Sequence, residues 1–291
     1  MLNLLQFEFR RLFRKTSFYV CLAITVLLVL YALGVVAQRY LNVEQYSSSS
    51  IPIRPTMTVI LNYSLQFANL SVMAAVFSAL YVCEDKTRGT IKNIYSLGYS
   101  RVHLFFAKYL SSASAVTIMY AVVILITFIG GVLLNADFSP QHTYGSSLLY
   151  NENSAKEISI LVIVIQQYFS IMALHSFYYM VSELVGNTGP SIVLNIFSPF
   201  LIYIAFMMIF SAVISFIMQI NNNDDIALEV MGAVIQAVTM YWLPTMITFI
   251  AGLAGGFGDM DYGISIIVNL CYIVLFGALA LLITRKKQVK N

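Results

Sequence analysis

Charged residues are scarce in this chain, which has 16 Lys and Arg and 13 Asp and Glu among 291 residues. They make up 10% of the sequence, whereas an average soluble domain carries roughly 25%. Because hydrophobic residues reach 59%, the composition excludes an ordinary soluble domain. Repeated apolar runs of about 20 residues match the length that a helix needs to cross a hydrocarbon layer of roughly 30 Å. The sequence therefore predicts an all-α integral membrane protein.

Cysteine and histidine are also rare. The three cysteines lie in or beside apolar runs, so they indicate no extracellular disulfide framework (Cys21, Cys83 and Cys271). The three histidines lack the spacing of metal ligands (His103, His142 and His175). The net charge of +3 is too small to indicate nucleic-acid binding, because the basic residues sit at the edges of apolar runs instead of forming one patch.

Several catalytic and energy-coupling motifs are missing. The sequence has no GxxxxGK[ST] loop, no HExxH and no GxSxG. Away from their ends, the apolar runs hold almost no ionisable residue except His175, for which a hydrogen-bonding role is favoured over a proton relay. Ion-driven carriers usually need intramembrane carboxylates or broken helices. We therefore expect a protein that is not an enzyme, binds no cofactor of its own and has no energy source of its own.

Six apolar runs are predicted to cross the membrane, at residues 18–37, 59–82, 109–134, 158–182, 191–219 and 264–283. The first is too long for a cleaved signal peptide and is interpreted as a retained span. The apolar part of 221–262, residues 226–255, is interpreted as short re-entrant or interfacial helices. With six spans, 13 of the 16 Lys and Arg residues fall in the N-terminal segment, residues 83–108 or the C-terminal tail. The positive-inside rule then places both termini in the cytoplasm, whereas a seventh crossing would put the basic tail outside.

The N-terminal segment, residues 1–17, mixes Leu and Phe with Glu8 and four cations. Such a segment can lie in the membrane interface with its apolar side in lipid and its cations near anionic headgroups. The alternative is an irregular basic tail.

The second predicted span carries a polar stripe. Asn62, Gln66, Asn69 and Met73 lie at i, i+4, i+7 and i+11, so they share one face of a helix. Amide side chains are costly in lipid, so this face should meet protein or water. Hydrogen bonding between helices is the favoured interpretation, and lining a substrate pathway is the alternative.

The longest charged interruption is Cys83 to Lys108, CEDKTRGTIKNIYSLGYSRVHLFFAK. It is either a solvated loop or a docking surface for a soluble partner. It resembles the first cytoplasmic loop of type 2 ABC exporter permeases, in which a glutamate ends the second span, a Gly-Thr pair precedes a short helix, a Ser-Arg turn follows and a lysine opens the third span. The corresponding residues are Glu84, Gly89–Thr90, Ser100–Arg101 and Lys108. Gly98–Tyr99 departs from the family pattern, because many members have a proline before the Ser-Arg pair.

The resemblance implies a role for each part of the chain. Residues 1–17 correspond to an amphipathic elbow helix, 83–108 to a coupling loop, and 221–262 to an extracellular re-entrant segment of a single permease domain, 1–291. Thr90–Leu97 corresponds to a coupling helix that docks on a separate ATP-binding subunit. The coupling residues implied are Glu84, Arg88, Gly89, Thr90, Ile91, Lys92, Asn93, Ile94, Leu97 and Arg101.

The resemblance also implies partners. The family works with two ATP-binding subunits, which hold the ATP and Mg²⁺, and with a second permease, identical or related. Its second and fifth spans line the pathway at the dimer interface, which would place Asn62, Gln66, Asn69 and Asn195 near the substrate. The expected activity is ATP-driven export, across the plasma membrane or out of its lipid, of an amphipathic peptide such as an antimicrobial peptide, a lipid or a hydrophobic drug. The alternative is a membrane scaffold or immunity protein that binds a partner without transport.

Overall fold

The computed structural model describes five long stretches of the chain, residues 2–46, 70–87, 98–136, 160–199 and 262–286. It also describes two short segments, 141–142 and 157–158, and nine separate positions, 57, 60, 61, 64, 65, 96, 201, 204 and 208. All structural statements below concern these residues.

The described part of the chain is almost entirely helical. The helices are α1 (Leu2–Leu12), α2 (Thr16–Tyr46), α3 (Leu70–Thr87), α4 (Arg101–Leu133), α5 (Ile160–Val185), α6 (188–199) and α7 (Tyr262–Lys286). Two short strands, β1 (Gln141–His142) and β2 (Glu157–Ile158), pair antiparallel, with Gln141 opposite Ile158. This small hairpin lies in the polar segment predicted between the third and fourth spans and is the one departure from an all-helical fold in the described residues.

Four helical segments are long and apolar enough to cross a membrane: Thr16–Gln38, Arg101–Leu133, Ile160–Val185 and Ser265–Lys286. Large apolar side chains on them point away from the protein, with Leu27 66% exposed and Val274 69% exposed. Because lipid is as apolar as these side chains, an outward apolar face on a long helix is typical of a membrane span. The prediction of a helical membrane protein is confirmed.

The remaining predicted spans are described only in part. Helix α3 covers the second half of the second span, and α6 covers the start of the fifth. Residues 221–261 lie outside the described part of the chain, so the six-span count and the re-entrant segment stay predictions.

The four central helices, α2 to α5, share one core. Small residues on α3, including Ala74 and Ala75, allow its backbone to approach its neighbours closely. Helix α5 packs against both α3 and α7, and α4 contacts α1, α2 and α5. The largest fully buried side chains of this core are aromatic or aliphatic (Phe77, Tyr81, Met119, Leu174 and Tyr178).

Two predicted connections are shorter than expected. Helix α2 continues to Tyr46, so residues 38–46, predicted to lie in a polar connection, are helical. Its 31 residues extend about 46 Å at roughly 1.5 Å per residue, which is longer than a bilayer core. The connection predicted between the fourth span, 158–182, and the fifth, 191–219, also begins later than expected, because α5 continues through Glu183 to Val185. Gly186 ends α5 with φ of 78°, a left-handed conformation that glycine adopts without steric cost.

The charged segment 83–108 is less of a loop than its composition predicts. Its first residues belong to the last turn of α3, and α4 already begins at Arg101. Gly98, with φ of 83°, makes the turn before α4, and the Ser100 side chain caps the helix by accepting a hydrogen bond from the backbone N–H of His103 at 3.3 Å. Lys108 therefore lies in the third turn of α4 and is buried, instead of opening the helix.

Candidate functional site

A group of buried and half-buried charged side chains, together with one tyrosine, joins the N-terminal segment, the end of α3 and the start of α4. We call it the charged cluster, and it consists of Glu8, Arg11, Lys15, Tyr81, Glu84, Asp85 and Lys108. Leu4 and Leu12 bring α1 against the bundle, Leu4 packing with Leu104 and Ala107 of α4. Because Leu4, Glu8 and Leu12 are four residues apart, they lie on one face of α1. Docking of the apolar residues therefore also buries Glu8, whose side chain is 0% exposed.

Asp85 is bonded by cations from two helices. The Arg11 guanidinium donates to its carboxylate from α1, and the Lys108 ammonium donates to the same oxygen, Oδ2, from α4. Asp85 and Lys108 are each 4% exposed. Burial alone would raise the pKa of Asp85, but the charges of Lys108 and Arg11 outweigh burial and hold this pKa below its ordinary value. The carboxylate is thus ionised at neutral pH.

Glu8 is the second buried carboxylate of the charged cluster. It accepts a hydrogen bond from the Tyr81 hydroxyl at 2.9 Å and one from the Arg11 guanidinium at 3.3 Å. The Tyr81 oxygen lies 2.6 Å from the hydroxyl of Ser111. Arg11 therefore bonds both Glu8 and Asp85. Burial lowers the pKa of Arg11, but the two carboxylates outweigh it, so this pKa is raised.

Lys15 lies at the edge of the charged cluster. Its ammonium donates to Glu84 at 2.8 Å and lies 4.6 Å above the centre of the Tyr81 ring. Cations are attracted to the face of an aromatic ring at this distance. Burial lowers the pKa of Lys15, and the bond to Glu84 compensates only in part.

The ends of two further helices are bonded to the same region. Lys86 donates to the Glu183 carboxylate at 2.6 Å and to the Glu183 carbonyl at 3.2 Å, which joins α3 to the end of α5. Arg101 donates to the carbonyl of Arg285 at 3.3 Å, in the last turn of α7. A cation at the carboxyl end of a helix interacts favourably with its unpaired carbonyls. The segment between α3 and α4 is therefore anchored on both sides.

The predicted coupling residues are described only at the two ends of this segment. Glu84 belongs to the charged cluster, and Arg101 contacts α7. Residues 88–95 and residue 97 lie outside the described part of the chain, so Arg88, Gly89, Thr90, Ile91, Lys92, Asn93, Ile94 and Leu97 stay predictions.

The predicted pathway residues are likewise described at one position. Asn62, Gln66 and Asn69 lie outside the described residues. Asn195 is buried and donates to the Ala75 carbonyl at 3.1 Å and to the Ser182 hydroxyl at 2.9 Å. These bonds connect α6 to α3 and α5.

Other polar side chains inside the bundle also bond between helices. His175 Nδ1 lies 2.9 Å from the Ser78 hydroxyl, and Gln166 donates to Ser265 of α7 at 3.1 Å. His175 therefore has the hydrogen bond favoured from the sequence. Among the described residues, no group of three or more His, Cys, Asp or Glu is placed to hold a metal ion.

Sequence reasoning assigned no coupling role to most residues of this region (Glu8, Arg11, Lys15, Tyr81, Asp85, Lys86 and Glu183). A signal existed for Glu8, because it lies four residues from both Leu4 and Leu12 on the apolar face of α1. Asp85 and Glu183 carried no comparable signal, since their cationic partners are separated from them by 23 residues or more in sequence.

The family model for an ABC-2 family transporter protein matches residues 2–229. The matched part includes α1 to α6 and the whole of the charged cluster. This chain belongs to the ABC-2 transporter family. It is accordingly a transmembrane permease component of an ABC transporter and not itself the ATPase. No curated protein matches the chain.

Proposed function

We propose that this chain is one half of the membrane domain of an ATP-driven exporter, and that the segment between α3 and α4 receives the force produced by a separate ATP-binding subunit. The observation that carries the proposal is the anchoring of both ends of this segment. On one side Asp85 bonds α1 and α4, and Glu84 bonds Lys15 just after α1. On the other side Arg101 bonds the end of α7. A segment held in this way transmits a push to several helices, whereas a merely solvated loop needs no such anchoring.

The topology that accompanies this function has six spans in the plasma membrane, with both termini in the cytoplasm. Thr90–Leu97 is the coupling helix, with Lys92 and Asn93 as polar contacts and Ile91 and Ile94 on its apolar face. Helix α1 is the elbow helix. Two ATP-binding subunits, carrying the ATP and Mg²⁺, and a second permease, identical or related, complete the transporter.

The structure changes the expected position of the elbow helix in one respect. Its Leu4 and Leu12 pack against protein, not lipid, whereas Phe7 and Phe13 are 53% and 46% exposed. Phe7 and Phe13 are therefore the apolar side chains available to the membrane interface, with Arg10 and Arg14 exposed beside them.

The cargo is an amphipathic peptide, a lipid or a hydrophobic drug. Support comes from the scarcity of ionisable side chains in the spans and from their many aromatic residues, since the chain has 20 Phe and 19 Tyr. The alternative is a scaffold or immunity protein that binds a partner without transport. Anchoring of the α3–α4 segment to α1, α4 and α7 favours the transporter.

The test is ATP hydrolysis by the full-length chain together with an ABC ATP-binding protein that copurifies with it. We expect vanadate-sensitive hydrolysis, and we expect Lys92→Glu combined with Gly89→Ala to reduce it without affecting membrane insertion. Lys156→Glu is the matched control, because it reverses a charge in a connection predicted to lie on the opposite side of the membrane. Hydrolysis and copurification that are the same in all variants would contradict the docking assignment.

The topology is tested separately with single cysteines at positions 49 and 288, in Ser49→Cys and Gln288→Cys. An impermeant thiol reagent added from outside should label the first and not the second. Labelling of Gln288→Cys from outside would rule out the six-span count.

A further inference from the structure

Asp85 lies in the last turn of α3, just before the segment that connects α3 to α4. It contacts two other helices at once. Arg11 of α1 is 74 residues away in sequence and Lys108 of α4 is 23 residues away, yet both donate to the same carboxylate oxygen. One atom of the last turn of α3 thus joins α1 and α4.

This junction is buried and therefore rigid. Asp85 and Lys108 are each 4% exposed, and charges attract each other more strongly away from water than at a surface. Removing one member of a buried ion pair leaves an uncompensated charge, which is strongly unfavourable. The three helices are consequently expected to move together at this point.

Two of the four cations of the N-terminal segment bond carboxylates of α3, and the other two are exposed. Arg11, in the last turn of α1, bonds Asp85, and Lys15, which follows the end of α1, bonds Glu84. Arg10 and Arg14 are exposed instead. Arg11 and Lys15 therefore each bond one of the two adjacent carboxylates at the end of α3.

We infer that Asp85 is a positioning residue for energy coupling: it holds α1 and α4 in one unit with the segment that follows α3. A displacement of that segment by the ATP-binding subunit moves α1 and α4 with it. The inference rests on the proposed function, because it names the residue through which the docked segment acts on the membrane helices.

A positioning role differs from a docking role in what it changes. Asp85 is buried among membrane-domain helices, so its loss should leave the affinity for the ATP-binding subunit and the KM for ATP unchanged. The rate at which the complex completes its cycle should fall, because force applied to the segment is no longer passed to α1 and α4 together.

The experiment uses the full-length chain reconstituted in lipid nanodiscs with its copurifying ATP-binding protein. We expect Asp85→Asn to lower the kcat of ATP hydrolysis about fivefold or more, with unchanged KM and unchanged subunit ratio. Asp85→Glu should restore at least half of the wild-type kcat, because it keeps the charge. Arg11→Gln should cause the same loss of kcat, because it removes the α1 partner of Asp85. It is the test variant if Asp85→Asn does not fold.

The matched control is Glu183→Gln. It removes the charge of another buried carboxylate at the same end of the bundle, one bonded to Lys86 and joining α3 to α5. We expect it to reduce thermal stability while kcat stays within about twofold of wild type. Equal loss of kcat in Asp85→Asn and Glu183→Gln would overturn the inference, because it would indicate general weakening of this end of the bundle.

A distance measurement separates this inference from the proposed function. Spin labels at Arg10→Cys on α1 and Ser96→Cys, with the three native cysteines replaced by alanine, report the position of α1 relative to the segment without any ATP-binding protein. We expect a narrow distance distribution in the wild-type background and in Asp85→Glu, and a broad one in Asp85→Asn. An unchanged distribution in Asp85→Asn and Arg11→Gln would overturn the inference, whereas the absence of hydrolysis in the wild-type complex would contradict the proposed function alone.

Discussion

The hydroxyl of Tyr81 donates a hydrogen bond to the buried carboxylate of Glu8 across 2.9 Å and connects residues 73 positions apart in sequence. The same oxygen lies 2.6 Å from the Ser111 hydroxyl, so α1, α3 and α4 meet at one atom. The Asp85 junction brings the same three helices together a turn further along α3. The N-terminal helix is therefore an integral part of the bundle, bonded in its interior by polar groups and not only by contact with lipid.

Removing the Tyr81 hydroxyl should destabilise the fold. In Tyr81→Phe the buried Glu8 carboxylate loses a donor, which costs about 1–3 kcal/mol for a buried unsatisfied group. We expect a lower midpoint of thermal unfolding in detergent. The control is Tyr19→Phe, which removes an exposed hydrogen bond of the same length, 2.9 Å, to the carbonyl of Phe13. A Tyr81→Phe midpoint equal to that of the control would contradict the role assigned to this bond.

The stability contributed by Asp85 should depend on pH. Its pKa in the fold is lower than the ordinary value of 3.8, so the carboxylate stabilises the fold fully above pH 3.8 and loses this effect as pH falls through the folded pKa. We expect Asp85→Asn to be less stable than wild type by about 3 kcal/mol at neutral pH. The difference should be constant from pH 5 to pH 8 and should shrink below about pH 4. Unfolding of both proteins across this range provides the measurement, and a difference that persists at the lowest pH would speak against ionic stabilisation.

Gly130 of α4 should not tolerate a side chain next to Leu33. A Cβ at Gly130 would lie 2.6 Å from Leu33 Cδ1 and 2.8 Å from Leu33 Cδ2, so α2 must shift or Leu33 must change rotamer. We expect Gly130→Ala to cost about 1–3 kcal/mol of thermal stability, and Leu33→Ala to relieve part of this cost in the double variant. Thermal unfolding of the three proteins checks the prediction.

Gly34 is the matched control for that substitution. It lies on α2 beside Leu33, and a Cβ there has no atom within 4 Å. Gly34→Ala should therefore be neutral or stabilising by up to about 1 kcal/mol, the difference in helix propensity. A Gly130→Ala variant as stable as Gly34→Ala would mean that the two helices are not in close contact there.

Asn195 provides a test between interhelical bonding and substrate contact. In Asn195→Ala, the hydrogen bonds to the Ala75 carbonyl and the Ser182 hydroxyl are lost, which should cost about 1 kcal/mol, as is usual for such bonds in membrane bundles. Asn3→Ala, an exposed position on α1, should have little effect. A substitution that leaves stability unchanged but alters stimulation of ATP hydrolysis by an amphipathic peptide would favour the pathway role implied by the family resemblance.

Much of the helical architecture could be predicted from the sequence. The apolar runs at 109–134 and 158–182 became α4 and α5, because about 20 apolar residues in lipid must satisfy their backbone groups as a helix. The ends of the helices were harder to predict. Charged residues indicate that the chain has left the apolar part of the membrane, but they do not show at which residue the helix ends. The third span, predicted from residue 109, begins already at Arg101 as α4, and the fourth, predicted to end at residue 182, continues to Val185 as α5.

The amino-acid sequence by itself determined that this is a helical membrane protein without an ATP-binding loop, because composition, the length of apolar runs and local motifs do not depend on how the chain packs. It also singled out residues 83–108, by charge alone. Only the tertiary structure decided which charges are structural. Arg11, Asp85 and Lys108 are far apart in the chain, and their bonding depends on how α1 packs on α4. Because the energy of a buried charge is set by neighbours that the fold supplies, the segment first marked by its charge is best defined by Asp85, the residue that connects it to two other helices.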